Sequence, residues 1–157
     1  MDLLLDQTYS DPQSALSMIR GALNNAWPDT ANDTPDRDET VVPPRRTRHY
    51  LQLIVHEWIA NLVRHATFDE PPRISIRVLT NTESVQCEIT DNSMGFDLGY
   101  ILSQMKANAS PFPEAGMGLR IIDACTNDVS YHRESSLHHC FSATIPYDHD
   151  PWINVLF

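Results

Sequence analysis

The sequence predicts an α+β two-layer sandwich, a mixed and mostly antiparallel sheet with helices on one face. Three observations carry that class. Apolar residues recur at three- and four-residue steps in two stretches, around residues 12–27 and 46–66. Strict apolar/polar alternation then occupies two neighbouring runs, RISIRVLT and SVQCEITD, joined by a short polar turn. The order of helices, strands, a loop, a helix and strands fits one antiparallel sheet covered on one side. At 157 residues the chain is sized for a single domain, 1–157, with a sizeable core.

DLLLDQTY, residues 2–9, reads as a first strand at a sheet edge. In residues 12–27, Ala15, Met18, Ile19, Ala22, Leu23 and Trp27 fall on one helical face. Residues 28–44 are acidic, proline-containing and without periodicity, and read as a solvated loop. From Arg46 the helical pattern returns. Leu51, Ile54, Val55, Trp58, Ile59, Leu62 and Val63 form an apolar stripe that Ala66 extends, and Pro71-Pro72 closes the segment. Ile74, Ile76 and Val78, then Val85, Cys87 and Ile89, alternate as in a half-buried antiparallel hairpin. Four of the five glycines fall between Asp91 and Leu119. A helix is expected to start after Gly116, followed by two strands, NDVSYHRE and HHCFSATIPY, the last turning Phe141, Ala143 and Ile145 inward. The tail, 148–157, either docks on its own domain or serves an interface.

Composition excludes several function classes. No apolar run approaches the ~20 residues needed to cross a bilayer, and the acidic N-terminus lacks the basic start and long apolar core of a secretory signal. Three cysteines, odd in number and without CxxC spacing, read as reduced thiols of a cytoplasmic protein. A net charge of -10 argues against direct nucleic-acid binding, which needs cations to displace phosphate counterions. It does not oppose binding one nucleotide, since Mg2+ and backbone dipoles can neutralise a triphosphate.

The candidate chemistry lies in three constellations. VHEWIANLVRHA, residues 55–66, superficially resembles a zinc-protease helix, but the residue four after His56 is Ala60, so that reading fails. What remains is Glu57, Asn61 and His65 at intervals of four, which on a helix point to nearly one side. Asp91-Asn92-Ser93-Met94-Gly95-Phe96 follows a strand, and Gly116-Met117-Gly118-Leu119 opens a helix. Each is weak alone: a polar stripe is commonly a solvated face, Asp-Asn after a strand a turn, and a lone GxG commonplace. His132, His138, His139 and Cys140 also invite a metal reading, but strand alternation sends His138 and His139 to opposite faces.

In this order the three constellations resemble the GHKL (Bergerat-fold) ATP-binding domain, and most closely the anti-sigma factor serine/threonine kinases of the RsbW and SpoIIAB type. EWIANLVRHA, DNSMGFD and GMGLRIID stand where such domains carry E-x-x-x-N-A-x-x-H-A, D-x-G-x-G-F and G-x-G-L, and FSATIP has the spacing of the closing strand. The likeness spans roughly residues 10–146.

The resemblance implies ATP and Mg2+ as cofactors. It makes Glu57 the catalytic base toward an attacking hydroxyl and Asn61 the Mg2+ ligand through its amide oxygen. His65 would lie near the nucleotide, although a capping or packing role is equally compatible with its position. Asp91 would accept the adenine amine, with the reading as a turn cap still open, and Gly95 would let the backbone pass close to the base. Gly116, Met117, Gly118 and Leu119 would present a helix N-terminus to phosphate. Residues 97–115 would form the ATP lid. Lys106 is its one cation and either meets a phosphate or is simply solvated, and Arg120 is open to the same two readings.

Three departures bear on this. Ser93 replaces the first glycine of D-x-G-x-G, Leu62 replaces the alanine after the asparagine, and His139 stands where a threonine often supports the aspartate. The implied function is an ATP·Mg-dependent protein serine/threonine kinase that phosphorylates a STAS-type anti-anti-sigma partner and sequesters a sigma factor. The alternative is a nucleotide-dependent binding switch with little or no kinase activity, acting on a sigma factor or a phosphatase. The short chain, with no phosphoacceptor helix of the H-[ED]-x-x-x-P kind, sets the expectation apart from a complete histidine kinase. Kinases of this type are commonly dimers, so the resemblance leaves a homodimer open, with no interface legible in the sequence.

Overall fold

The alternating runs form strands and the three- and four-step runs form helices. The computed structural model describes residues 1–27, 44–100, 103, 117–135 and 138–150. In chain order the elements are β1 (Asp2–Tyr9), α1 (Pro12–Ala26), α2 (Arg45–His65), β2 (Ile74–Thr80), β3 (Ser84–Asp91), α3 (Met117–Cys125), β4 (Asp128–Ser135) and β5 (His138–Pro146). The expected loop 28–44, apart from Pro44, and the lid 97–115, apart from residues 97–100 and 103, lie outside the described residues, as does the tail from 151.

The strands form one five-stranded sheet in the order β1-β2-β3-β5-β4, with β1 at an edge as its sequence suggests. Every pairing among the described strands is antiparallel, so the sheet lacks the parallel pair that a mixed sheet would contain. Because β5 lies antiparallel between them, β3 and β4 run the same way two places apart. The chain leaves β3, passes through α3 and returns at β4, which puts the end of β3 and the start of α3 at one end of the sheet.

One face of the sheet is apolar and the other polar. Ile74, Ile76, Val78, Val85, Cys87, Ile89, Phe141, Ala143 and Ile145 are buried toward the helices. Arg77 on the opposite face pairs with Glu88 at 3.4 Å and Asp6 at 3.9 Å. One-sided alternation of this kind locks the register, because a one-residue slip would turn the apolar set to water. Helix α1 starts where Asp11 accepts a hydrogen bond from the Ser14 amide at 2.7 Å, with Pro12 in the first turn. Helix α2 packs between α1 and α3 and sends Trp58, Leu51, Ile54, Ile59 and Leu62 into the core. The three cysteines are free and buried.

Two residues depart from the expected stripes. Met18 is exposed on α1, beside β1, and Val63 is 40% exposed on α2. Asn61, expected off the apolar stripe, is buried instead, at 9% exposure. The packing of α3 on α2 explains the shift: it covers a flank of α2 that periodicity alone assigns to solvent. The segment after β5 docks on its own domain up to residue 150. Tyr147 donates its hydroxyl to the Asn81 carbonyl at 2.8 Å, and His149 Nε2 lies 2.8 Å from the Ala124 carbonyl oxygen.

Candidate nucleotide site

The site forms where β3 and β4 end and β5 begins, beneath α2 and α3. Asp91 is the last residue of β3 and pairs with Ile74 on one side and His139 on the other. In that register Asp91, His139, Phe141 and Tyr131 all project toward the helices. Beyond Asp91 the chain is pinned to the segment after α2. Asn92 accepts from the Arg73 amide at 2.7 Å and donates to the Pro71 carbonyl at 2.9 Å, and the Met94 amide donates to the Thr67 carbonyl at 2.9 Å.

Asp91 is fully buried, and the protein supplies its partners. Its Oδ1 accepts from the Ser93 amide at 3.0 Å and, in a short contact, from the Ser93 hydroxyl. Its Oδ2 accepts from the Tyr131 hydroxyl at 3.0 Å. Ser93 Oγ in turn accepts from the Gly95 amide at 3.1 Å. Burial pushes the Tyr131 phenol well above its usual pKa, and the negative charge of Asp91 adds to the shift, so Tyr131 stays a neutral donor. Ser93 adopts no positive φ. The glycine it replaces is therefore not needed here for backbone freedom, and the serine gains a carboxylate contact.

Gly95 does need to be glycine. Its φ is +75°, and a Cβ there would lie 2.6 Å from His139 Cδ2 and 2.7 Å from Cε1, inside the imidazole ring's own space. Around this point the rings of Trp58, Phe96, Tyr131 and Phe141 pack together. Trp58 stacks on Phe141 at 4.1 Å and meets Tyr131 edge-on at 4.8 Å, and Tyr131 lies 5.5 Å from the His139 ring.

At the other end, α3 is brought against α2 by Gly118. A Cβ on Gly118 would run into the carboxylate oxygen Oε2 of Glu57, so absence of a side chain is what admits the glutamate to the first turn of α3. Glu57 is partly exposed and Asn61, one turn on, is buried. His65, the last residue of α2, is exposed and sits a further turn away from Glu57. Leu119 is buried and lines a small apolar cavity with Trp58, Leu98, Ile122 and Phe141. Met117 opens α3; Gly116 and Lys106 lie outside the described residues. Arg120 is partly exposed on the first turn of α3.

Three buried side-chain nitrogens among the described residues have no hydrogen-bond partner: Trp58 Nε1, Asn61 Nδ2 and His139 Nδ1. All three belong to this site. Buried polar atoms are rarely left unpaired, and each such atom calls for a missing partner. Tyr131 was not singled out from sequence, although alternation with Val129 in DVSYHRES already places it on the inner face.

A buried carboxylate at a strand end, beside a glycine-opened helix that meets a helix-borne glutamate and asparagine, defines a nucleotide-binding α+β domain of the ATPase class. The sequence agrees. Residues 33–141, more than half of the chain, match the histidine kinase-like ATPase domain, and the chain belongs to that family. No curated protein matches it. Membership implies ATP binding. No helix among the described residues is long and apolar enough to cross a membrane.

Proposed function

We propose that the protein is an ATP·Mg-dependent serine/threonine protein kinase of the anti-sigma type. Its substrate would be a hydroxyl on a STAS-type anti-anti-sigma partner, and its second partner a sigma factor that it sequesters. The observation that carries this reading is the Glu57 carboxylate held against Gly118 at the opening of α3, one helical turn from Asn61. A carboxylate at the phosphate end of the site is placed to take a proton from an attacking hydroxyl.

Asn61 fits a Mg2+ ligand. Its amide nitrogen is buried and unpaired, so nothing pins the amide, and rotation can turn the oxygen toward an ion. Mg2+ binds through few protein oxygens and keeps waters and phosphate oxygens for the rest; when bound it would neutralise charge on the phosphates. Glu57 would orient the hydroxyl and hold its proton. The α3 N-terminus would stabilise the transferred group through backbone N–H groups.

The second reading, a nucleotide-dependent switch without transfer, is favoured by the departures Ser93 and His139 from the family pattern beside Asp91. Incubation with γ-labelled ATP, Mg2+ and a STAS partner separates the two. Kinase activity predicts label on the partner that falls by about a thousandfold in Glu57→Ala, with ATP binding retained. Tight ATP binding without transfer by the unaltered protein would sink the kinase and leave the switch.

A further inference from the structure

We propose that His139 is a second base-reading residue, its Nδ1 pairing with the ring nitrogen N1 of adenine while Asp91 takes the adjacent amine. The inference rests on the ATP-binding reading and deepens it. Asp91 and His139 are direct partners across β3 and β5, so their side chains leave the sheet side by side on the helix-facing side.

Asp91 cannot specify a base alone. An ionised carboxylate offers about four acceptor sites. The Ser93 amide and hydroxyl occupy Oδ1, and the Tyr131 hydroxyl takes one site of Oδ2. One acceptor site on Oδ2 remains. A single hydrogen bond identifies an amine but leaves the ring free to pivot about it, and a second contact is needed to fix a purine edge.

His139 offers that contact. Its Nδ1 is buried and unpaired. The rest of the ring is held, against the α-carbon of Gly95 on one side and near Tyr131 on the other. An imidazole nitrogen in that position carries the cost of an unmade hydrogen bond until a partner arrives. Adenine presents a donor, its exocyclic amine, next to an acceptor, N1. A carboxylate beside an imidazole in the tautomer that carries its proton on Nδ1 is the complementary pair. Guanine presents the reverse order, an oxygen and then N1–H, so the carboxylate would face an acceptor.

The test measures binding of ATP and 1-deaza-ATP, in which N1 is replaced by C–H, to the full chain and to His139→Phe, which keeps the ring and removes both nitrogens. The unaltered protein should bind 1-deaza-ATP about fivefold more weakly than ATP, and His139→Phe should bind both equally, about fivefold more weakly than the unaltered protein binds ATP. The same preference for ATP in both proteins would overturn the proposal while leaving ATP binding intact. No ATP binding by the unaltered protein would overturn both. Should the variant fail to fold, ¹⁵N NMR of the unaltered protein decides. The His139 Nδ1 resonance should move with ATP and not with 1-deaza-ATP; equal movement with both would overturn the assignment.

Discussion

The two ends of the site are built on opposite terms. At the base end Asp91 is fully buried and already holds three hydrogen bonds from Ser93 and Tyr131. At the phosphate end Asn61 is as good as buried, yet its amide nitrogen has no partner. A charge costs far more than an amide to leave unpaired inside a protein, so the fold satisfies the carboxylate itself. The neutral amide costs only about 1–3 kcal/mol unpaired, little enough for the fold to tolerate until a ligand arrives. On the proposed reading, pre-organisation belongs to base recognition and readiness to change to the phosphates.

The strongest way to break this contrast is Asn61→Leu, which keeps size and removes the unpaired amide. If the phosphate end stores an unmade interaction, the variant should unfold at higher denaturant, by about 1 kcal/mol or more. Its Mg2+-dependent ATP affinity should fall by about a hundredfold. Loss of both stability and binding would show that Asn61 is an ordinary structural residue and would remove the contrast.

Tyr131→Phe attacks the other end. It deletes one of the donors to a buried carboxylate and should cost about 2 kcal/mol at neutral pH. The pH dependence gives a sign. The phenol of Tyr131 is raised in the folded state, by burial first and then by the Asp91 charge. Its contribution to stability is therefore complete below the unfolded value of about 10 and is lost as pH rises above it. Urea unfolding of the variant should show a shallower fall above that pH. Tyr9, Tyr50 and Tyr147, also raised by burial, keep part of the alkaline limb. An unchanged alkaline limb would mean the Asp91–Tyr131 bond contributes nothing.

The difference in construction also explains what the sequence made legible. Glu57 and Asn61 lie on one helix four residues apart, and Asp91 ends an alternating run, so their spacing, read through the family resemblance, marked them as candidates. The partners of Asp91 needed the fold. Tyr131 lies two strands away in the sheet and forty residues on in the chain, and only the order β3-β5-β4 brings the two together. Ser93 was visible as a departure from a glycine pattern, but its value as a donor depends on the turn after β3. Asn61 is buried against expectation because helical periodicity defines a stripe and not the neighbour, here α3, that widens it; nothing in the structure explains the exposure of Val63.

The finest test compares two glycines. Gly95 sits at the base end with a φ of +75°, and a Cβ there meets the His139 ring, which packing against Tyr131 restrains. Gly95→Ala should therefore cost about 1–2 kcal/mol, from the left-handed conformation and the displaced ring together. Gly118 has no such backbone demand, since among the described residues Gly95 alone has positive φ. A Cβ at Gly118 meets only the flexible end of Glu57. Gly118→Ala should leave stability within about 0.5 kcal/mol, because a carboxylate at the end of a long side chain can swing aside and alanine favours a helix. That swing moves the proposed base, and phosphoryl transfer should drop by about tenfold or more, since a small misplacement at the reacting centre is costly. Equal stability losses in the two variants would show that both ends are packed alike. Unchanged transfer in Gly118→Ala would separate Glu57 from the opening of α3, and with it the base role assigned to that glutamate.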